Sequence, residues 1–178
     1  MGLTLLLGGA RSGKSSLAVA TARQHDAVTY IATAPPLDTD MVARISRHRE
    51  ERPAQWTTIE EELDLAGALE RAGGSFVIID CLTLWTSNLL WHGADDDEVV
   101  ARADATSELA TKRAAPTIAI SNEVGLGVHP ETEAGRRYRD VLGRVNQRWA
   151  AAADTALLLV AGRAIPLHDP APHLGIGS

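Results

Sequence analysis

Cysteine and aromatic residues are both scarce in this chain, and each shortage limits what the protein can be. The one cysteine is Cys81, so neither an intrachain disulfide framework nor a thiolate zinc cluster is possible. Aromatic residues make up 4% of the 178 residues, so Leu, Val, Ile and Ala must build the core. A lone thiol is typical of a protein in a reducing compartment, and we expect the cytoplasm.

Targeting and membrane signals are also missing. Met1-Gly2-Leu3-Thr4 leads directly into an apolar stretch without a basic region or a small-residue cleavage site, so we expect no signal peptide. No apolar run approaches the roughly 18 residues that a membrane helix needs. The formal net charge of −6 argues against nucleic acid as the main partner, because binding to a phosphate backbone requires a basic face.

The apolar residues that are present occur in short continuous runs separated by helical patterns. Hydrophobic residues make up 45% of the chain and charged residues 22%, as in globular proteins. Continuous runs are typical of strands buried on both faces of a parallel sheet. The predicted strands are Leu3–Leu7, Val28–Ala32, Phe76–Asp80, Thr117–Ser121 and Ala156–Val160. The predicted helices are Lys14–Gln24, Asp40–Glu51, Glu60–Arg71, Glu98–Arg113 and Glu133–Ala153.

This alternation predicts one α/β domain with a doubly wound, mostly parallel sheet flanked by helices. We place the domain at residues 1–165. The segment 166–178 carries three prolines and two glycines, and we expect it to be a loose C-terminal tail.

A phosphate-binding motif follows the first predicted strand and opens the first predicted helix. The motif is Gly8-Gly9-Ala10-Arg11-Ser12-Gly13-Lys14-Ser15, which matches the P-loop pattern. Its glycines let consecutive backbone N–H groups face an anion, and the helix N-terminus presents its partial positive charge there. We expect Lys14 to reach the β- and γ-phosphates of ATP or GTP and the Ser15 hydroxyl to bind Mg²⁺. The domain is therefore predicted to be of the P-loop NTPase type.

A second part of the magnesium site is predicted at Asp80. The apolar run Phe76–Asp80 ends in a carboxylate, which is the Walker-B pattern. Many strands end in Asp for reasons of turn geometry alone, but a P-loop in the same chain favours a metal-binding role.

Two other P-loop classes lack their markers in this sequence. The chain has no Asn-Lys-x-Asp element for reading guanine, as GTPase switches have, and no Leu-Ser-Gly-Gly-Gln signature of ABC ATPases. A small-molecule kinase or a nucleotidyltransferase fits better than a switch or a motor.

A histidine lies in the predicted helix that follows the second strand. Met41, Ile45 and His48 share one face at spacings of four and three residues, and Arg44 and Arg52 lie one turn before and after His48. Histidine can attack an α-phosphate and carry a nucleotidyl group, while arginines neutralise phosphate oxygens. The alternative is a boundary histidine on a helix with a solvated charged face.

Together, several stretches resemble a known family, the bifunctional adenosylcobinamide kinase / adenosylcobinamide-phosphate guanylyltransferases of cobalamin biosynthesis. The resemblance spans about residues 3–160 and includes the P-loop. The more specific stretches are Tyr30-Ile31-Ala32-Thr33-Ala34, Ala43-Arg44-Ile45-x-x-His48, Arg52-Pro53-x-x-Trp56, Asp80-Cys81-Leu82-Thr83, Asn88-Leu89-Leu90, Ser121-Asn122-Glu123-Val124-Gly125-x-Gly127-x-x-Pro130 and Arg139-Asp140-x-x-Gly143-Arg144-Val145-Asn146-Gln147.

The resemblance implies two reactions at one nucleotide site. A nucleoside triphosphate first phosphorylates the aminopropanol hydroxyl of adenosylcobinamide. GTP then transfers GMP to that phosphate through a GMP-histidine intermediate, which releases pyrophosphate and gives adenosylcobinamide-GDP. The matching histidine here is His48, where some members carry two adjacent histidines and this chain has Arg47 at the first position. Some members also have Glu at the position of Asp80.

Further site residues follow from position and resemblance. We expect nucleotide contacts from the residues after the second strand, the residues after His48 and, more weakly, one later glutamate. These are Thr33, Ala34, Pro35, Arg49, Glu50, Glu51, Arg52 and Glu61. Asn122, Glu123 and Gly125 follow the fourth predicted strand, at the carboxyl edge where ligands of open α/β sheets bind. We expect them near the corrinoid or the transferred phosphate, with a strand-end cap and turn as the alternative. The resemblance also implies a homo-oligomer, a trimer.

Two alternative functions remain open at this point. A monofunctional P-loop kinase for another small molecule would use the same loop and Asp80 but would form no covalent GMP adduct. A GTP-binding switch or scaffold would bind GTP without turnover, although the missing guanine-reading element argues against it.

Overall fold

The structure is a computed structural model that describes residues 2–34 and 53–174. Seven strands lie within these ranges: β1 (Leu3–Gly8), β2 (Val28–Ala32), β3 (Thr57–Glu60), β4 (Phe76–Asp80), β5 (Thr117–Ile120), β6 (Thr155–Val160) and β7 (Arg163–Leu167). The same ranges contain six helices: α1 (Lys14–Ala22), α2 (Leu65–Arg71), α3 (Leu82–Trp91), α4 (Asp96–Thr111), α5 (Glu133–Ala152) and α6 (Ala171–Leu174).

The strands form one sheet in the order β3-β2-β4-β5-β1-β6-β7. All neighbouring pairs are parallel except β6 and β7, which are antiparallel. The mostly parallel sheet confirms the predicted fold class. Because parallel strands end at the same edge, the carboxyl ends of β1, β4 and β5 lie side by side, and this edge carries the candidate site.

Helices cover both faces of the sheet, and alternate residues of each strand contribute to two separate hydrophobic clusters. Leu5, Val77 and Ile79 belong to the cluster that includes residues of α2, α3, α4 and α5. Leu6 and Ile78 belong to the other cluster, which includes Ala18 and Ala22 of α1. Burial on both faces explains why these strands have continuous apolar sequences rather than alternating ones.

The five predicted strands all occur, and their bounds agree with the structure to within one residue at each end. Their backbones are mostly buried, so the apolar signal is strong. Two strands at the edges of the sheet were not predicted. β3 is mostly exposed and has no apolar run. All of β7 is exposed, and Pro166 lies within it, a residue that argues against a strand in a sequence.

The four helix predictions that fall on described residues are correct in position but not always at the ends. α4 begins at Asp96 rather than Glu98, because the Asp95 side chain accepts a hydrogen bond from the Glu98 N–H and caps the helix. The segment predicted as one helix from Glu60 begins only at Leu65, because Thr57–Glu60 pairs with β2 and Asp64 caps α2. The prediction missed α3 and α6. The predicted helix at 40–51 lies outside the described residues.

The boundary between the domain and the tail stays a prediction, although the sheet crosses it. Pro166 and Leu167 of β7 pair with Leu157 and Ala156 of β6, so the last strand extends two residues into the segment 166–178. Across 2–34 and 53–174, we find no helix with the length and hydrophobicity needed to span a bilayer.

Candidate nucleotide and phosphoryl-transfer site

The P-loop leaves β1 at Gly8 and enters α1 at Lys14, as its motif predicts. Gly8 has a φ of 147°, and a Cβ at this position would lie 2.3 Å from the carbonyl oxygen of Leu159 on the neighbouring strand. Gly13 has a φ of 101°, a left-handed conformation that side-chain-bearing residues rarely adopt. Both glycines are therefore required by the backbone path that turns the strand into the helix.

Lys14 is buried, and its ammonium group is held by hydrogen bonds to other residues of the P-loop. Nζ donates hydrogen bonds to the carbonyl oxygens of Gly8 at 2.8 Å and Gly9 at 2.7 Å, and to Ser12 Oγ at 3.3 Å. The cation thus lies over the loop that is expected to surround the phosphates. Its contact with nucleotide phosphates stays a prediction.

The two predicted magnesium ligands are adjacent. Ser15 Oγ, at the start of α1, donates a hydrogen bond to Asp80 Oδ2 at 3.2 Å. The structure also shows a contact that the sequence did not suggest, in which the Tyr30 hydroxyl donates to the same carboxylate oxygen. Tyr30 and Asp80 lie on adjacent strands, β2 and β4, and this contact fixes the carboxylate next to the P-loop.

A hydroxyl and a carboxylate are the oxygen donors that Mg²⁺ uses in P-loop proteins, where substrate phosphates and water complete the coordination. Ser15 and Asp80 therefore fit the ion. The described residues contain no group of three or more His, Cys, Asp and Glu side chains that could hold a metal by themselves.

The hairpin between β6 and β7 contacts the P-loop from the other side. Its turn residues Ala161 and Gly162 both have positive φ, as a type I′ hairpin turn requires. The Gly162 N–H donates to the carbonyl oxygen of Ser12 at 2.9 Å, and the Gly162 Cα lies 3.4 Å from the position of a Cβ on Gly13. Sequence reasoning missed this contact, and the Ala161-Gly162 pair after an apolar run is the signal that could have identified the hairpin.

Thr33 is fully buried, and its hydroxyl makes two hydrogen bonds with the backbone of Cys81. Thr33 Oγ1 donates to the Cys81 carbonyl oxygen at 2.7 Å and accepts from the Cys81 N–H at 2.8 Å. Asn88 Nδ2 donates to the Thr33 carbonyl oxygen at 2.9 Å. These bonds join the ends of β2 and β4 next to Asp80, and Ala34 follows directly. Nucleotide contacts by Thr33 and Ala34 stay predictions.

The only thiol of the chain lies directly after Asp80 and is buried. Burial, with a smaller contribution from the neighbouring Asp80 charge, raises the pKa of Cys81 to about 11. The thiol is therefore protonated at neutral pH and is not a candidate nucleophile.

Glu61 lies at the same edge, where its N–H donates to the Ala32 carbonyl oxygen. Its carboxylate binds residues at the start and the end of α2. Oε1 accepts from the N–H groups of Leu63 and Asp64, and Oε2 pairs with Arg71 at 2.9 Å. Burial raises the pKa of Glu61, but these hydrogen bonds and the Arg71 charge outweigh it and lower the pKa overall. These contacts account for Glu61 without a nucleotide, so its nucleotide contact stays a prediction.

A buried polar network holds the segment that follows β5. Ser121 Oγ donates to Asn146 Oδ1 at 2.6 Å, and Asn146 Nδ2 donates to the Asn122 carbonyl oxygen at 3.1 Å. The Asn122 N–H donates to Thr83 Oγ1 at 2.7 Å. The network ties α5, the beginning of α3 and the end of β5 to one another.

Glu123 is the next residue, and it touches the P-loop through its backbone. Its N–H donates to the Gly8 carbonyl oxygen at 3.2 Å. Its Oε1 accepts from the Gly125 N–H at 2.6 Å, and the side chain is half-buried. The structure therefore places Asn122, Glu123 and Gly125 beside the phosphate loop, at the edge where they were expected.

The remaining predicted site residues lie outside the described residues, and these are Pro35, His48, Arg49, Glu50, Glu51 and Arg52. The predictions for the histidine and for its flanking arginines accordingly rest on the sequence.

Comparisons of fold find solved structures with a similar architecture. The flagellar accessory protein FlaH of Methanocaldococcus jannaschii superposes with a TM-score of 0.50 at 16% identity, covering 93% of this chain and 77% of FlaH. An ATPase of a bacterial type III secretion system gives a TM-score of 0.57 at 10% identity, covering 99% of this chain and 59% of the ATPase. At these identities the likeness shows the fold alone.

Comparisons of sequence are more specific. The family described as "Cobinamide kinase / cobinamide phosphate guanyltransferase" matches residues 4–167. The bifunctional adenosylcobalamin biosynthesis protein CobP of Pseudomonas aeruginosa is 44% identical, covering 92% of this chain and 95% of CobP. CobU of Escherichia coli, named in the same way, is 38% identical, covering 90% of this chain and 96% of CobU.

The family match spans the P-loop, Asp80, the segment after β5 and the hairpin that contacts Ser12. The sequence matches extend over nearly the whole length of each relative, so they are not confined to the nucleotide-binding motif. This chain belongs to the cobinamide kinase / cobinamide phosphate guanyltransferase family.

Proposed function

We propose that this chain phosphorylates the aminopropanol hydroxyl of adenosylcobinamide with ATP or GTP, and then transfers GMP from GTP to the new phosphate. The products of the second reaction are adenosylcobinamide-GDP and pyrophosphate. The observation that carries the proposal is the contact between Ser15 and Asp80 beside the P-loop, in a chain that belongs to this family. This arrangement supplies the phosphate and metal sites that both reactions need.

The P-loop binds the phosphates of the nucleotide through its backbone. Residues Gly9 to Gly13 contribute N–H groups, and α1 contributes the positive end of its dipole. Lys14 gives up its carbonyl acceptors and contacts the β- and γ-phosphates. The preformed position of Lys14 supports this role, since its ammonium group already lies over the loop.

Ser15 and Asp80 would hold Mg²⁺ together with the phosphates. The bound ion neutralises charge on the phosphate oxygens during transfer. Tyr30 keeps the Asp80 carboxylate in place through its hydroxyl hydrogen bond.

His48 carries the nucleotidyl group in the second reaction. Its imidazole nitrogen bonds to the α-phosphorus of GTP, and the bond from that phosphorus to the bridging oxygen breaks to release pyrophosphate. A phosphate oxygen of adenosylcobinamide phosphate then bonds to the same phosphorus, and the P–N bond breaks. We assign nucleotide contacts near this centre to the residues that the sequence predicted, namely Thr33, Ala34, Pro35, Arg49, Glu50, Glu51, Arg52 and Glu61. The enzyme works in the cytoplasm as a homo-oligomer, a trimer by family resemblance.

Covalent labelling tests the histidine step. Protein incubated with GTP labelled at the α-phosphate with ³²P, in Mg²⁺, and then denatured should retain label that is labile in acid and stable in base. His48→Ala should abolish the label, and Arg47→Ala, which changes the preceding residue, should keep it. Label that persists in His48→Ala would refute the assignment to that residue.

The same experiment separates the bifunctional enzyme from a plain kinase. A wild-type protein that binds GTP tightly and phosphorylates adenosylcobinamide, yet acquires no label, would be a monofunctional kinase. A protein that binds GTP and acts on no cobinamide would be the switch or scaffold.

A further inference from the structure

Glu123 occupies the position between the two halves of the phosphoryl-transfer site. β5 lies between β4, which ends at Asp80, and β1, which ends at the P-loop. Beyond the end of β5 the parallel hydrogen bonds to β1 continue, with the Ser121 N–H on the Leu6 carbonyl oxygen at 2.9 Å and the Glu123 N–H on the Gly8 carbonyl oxygen at 3.2 Å. Glu123 therefore leaves the sheet directly beside the start of the phosphate loop.

Three carboxylates near this edge differ in how many hydrogen bonds and ion pairs they accept from the protein. Asp80 accepts two hydroxyl hydrogen bonds and fits the metal. Glu61 is occupied by two N–H groups and Arg71. Glu123 uses only Oε1, for the Gly125 N–H, while Oε2 accepts no hydrogen bond from the part of the chain that the structure describes. Glu123 is thus a half-buried carboxylate with an oxygen available to a ligand.

The two reactions make different demands on a base. In the first, the attacking group is an alcohol, which must lose its proton as the new P–O bond forms. In the second, the attacking group is a phosphate, whose oxygens already carry negative charge at neutral pH. A carboxylate that accepts the substrate hydroxyl's proton is a standard component of kinase sites, so only the first reaction needs one.

We infer that Glu123 is the proton acceptor of the phosphorylation step, an assignment that rests on the proposed function. The aminopropanol oxygen bonds to the γ-phosphorus, and the bond from that phosphorus to the β–γ bridging oxygen breaks to release the nucleoside diphosphate. The hydroxyl proton moves to the Glu123 carboxylate and passes from there to solvent. Glu123 takes no proton in the guanylyl transfer.

Glu123→Gln tests the inference, because glutamine keeps an oxygen that can accept from the Gly125 N–H but cannot take the proton. The two activities are measured separately, with adenosylcobinamide for phosphorylation and adenosylcobinamide phosphate for guanylyl transfer. We expect phosphorylation turnover to fall by about 10²-fold or more. We expect guanylyl transfer to stay within about threefold of the wild type, since its nucleophile carries no proton to remove.

Glu131→Gln is the matched control, since Glu131 lies exposed in the same loop. It should leave both activities unchanged. A phosphorylation rate in Glu123→Gln close to that of the wild type would overturn the inference, as would an equal fall in both activities, which would indicate a role in loop structure. A wild-type protein without phosphorylation activity would instead refute the proposed function, and the role of Glu123 with it.

Discussion

The P-loop and the 121–132 loop lie side by side at the carboxyl edge of the sheet. They differ in how many of their residues are held by hydrogen bonds and how many are exposed. In the P-loop, Lys14 has three hydrogen-bond acceptors and the Ser12 carbonyl oxygen receives the Gly162 N–H. In the 121–132 loop, the first three residues are held by hydrogen bonds, but Leu126 is 84% exposed and Val128 is 95% exposed. The P-loop is therefore held by hydrogen bonds, whereas the 121–132 loop exposes two large apolar side chains.

This difference matches the sizes of the two ligands that the proposed function requires. A triphosphate is small and the same in every nucleotide, so a fixed set of backbone groups can bind it. A corrinoid is a much larger molecule, which needs a broad contact surface outside the sheet. Glu123 joins the two loops through its backbone hydrogen bond to Gly8. If the substrate hydroxyl reaches Glu123, as we infer, we expect the rest of the acceptor to contact Leu126 and Val128.

The largest effect is expected at Lys14. Lys14→Ala removes the cation that contacts the phosphates in both reactions, so kcat/KM for phosphorylation and for guanylyl transfer should each fall by about 10²–10³-fold. Steady-state kinetics with each acceptor measures the two losses. The fall should be shared by both reactions because both use the same nucleotide site.

Lys112→Ala provides the control for Lys14, since Lys112 is the other lysine of the chain. Lys112 lies at the exposed end of α4, paired with Glu108 at 2.6 Å. Its replacement should leave both activities unchanged. A loss confined to one reaction in Lys14→Ala would mean that the two reactions do not share the P-loop.

The P-loop half of this comparison could be predicted because its signals are local. Eight consecutive residues determine the turn, the anion-binding N–H groups and the start of α1. Asp80 was predictable for a similar reason, since an apolar run that ends in a carboxylate marks a strand end. The buried strands produce continuous apolar runs, and the long helices produce polar segments between them, so a sequence shows both directly.

The contacts that complete the site could not be predicted because they depend on the order of strands in the sheet. Tyr30 reaches Asp80 only because β2 is next to β4, and Gly162 reaches Ser12 only because β6 is next to β1. The edge strand β3 was missed because an exposed strand needs no apolar run, and β7 was missed because Pro166 argues against a strand. The exposure of Leu126 was also hidden, since an apolar residue in a loop is as readily buried as exposed.

An intermediate effect is expected at the apolar surface of the 121–132 loop. The double variant Leu126→Ser and Val128→Ser removes apolar area that the acceptor would cover, so KM for adenosylcobinamide should rise by about tenfold. KM for GTP should not change, since neither residue belongs to the P-loop. Initial rates at varied concentrations of each substrate measure both constants.

The β6–β7 hairpin offers a matched control for the loop variant. Val160 and Ile165 are also exposed, at 56% and 54%, but they lie on the strands rather than in the 121–132 loop. The double variant Val160→Ser and Ile165→Ser should leave KM for adenosylcobinamide unchanged. An equal rise in both double variants would show that general surface hydrophobicity, rather than this loop, binds the acceptor.

The smallest effect is expected where α5 holds the base of the 121–132 loop. Asn146→Ala removes the amide that bonds to Ser121 and to the Asn122 carbonyl oxygen, and it leaves these buried groups without that partner. The free energy of unfolding should fall by about 1–3 kcal/mol, as measured by urea denaturation. Gln147→Ala, at an exposed position on the same helix, should change the free energy of unfolding little.

Because the network positions Asn122 and Glu123, the folded Asn146→Ala protein should lose more phosphorylation activity than guanylyl-transfer activity. An equal loss of both activities would mean that the network supports the fold as a whole, and the proton-accepting loop would then not be a separate unit from the phosphate cradle.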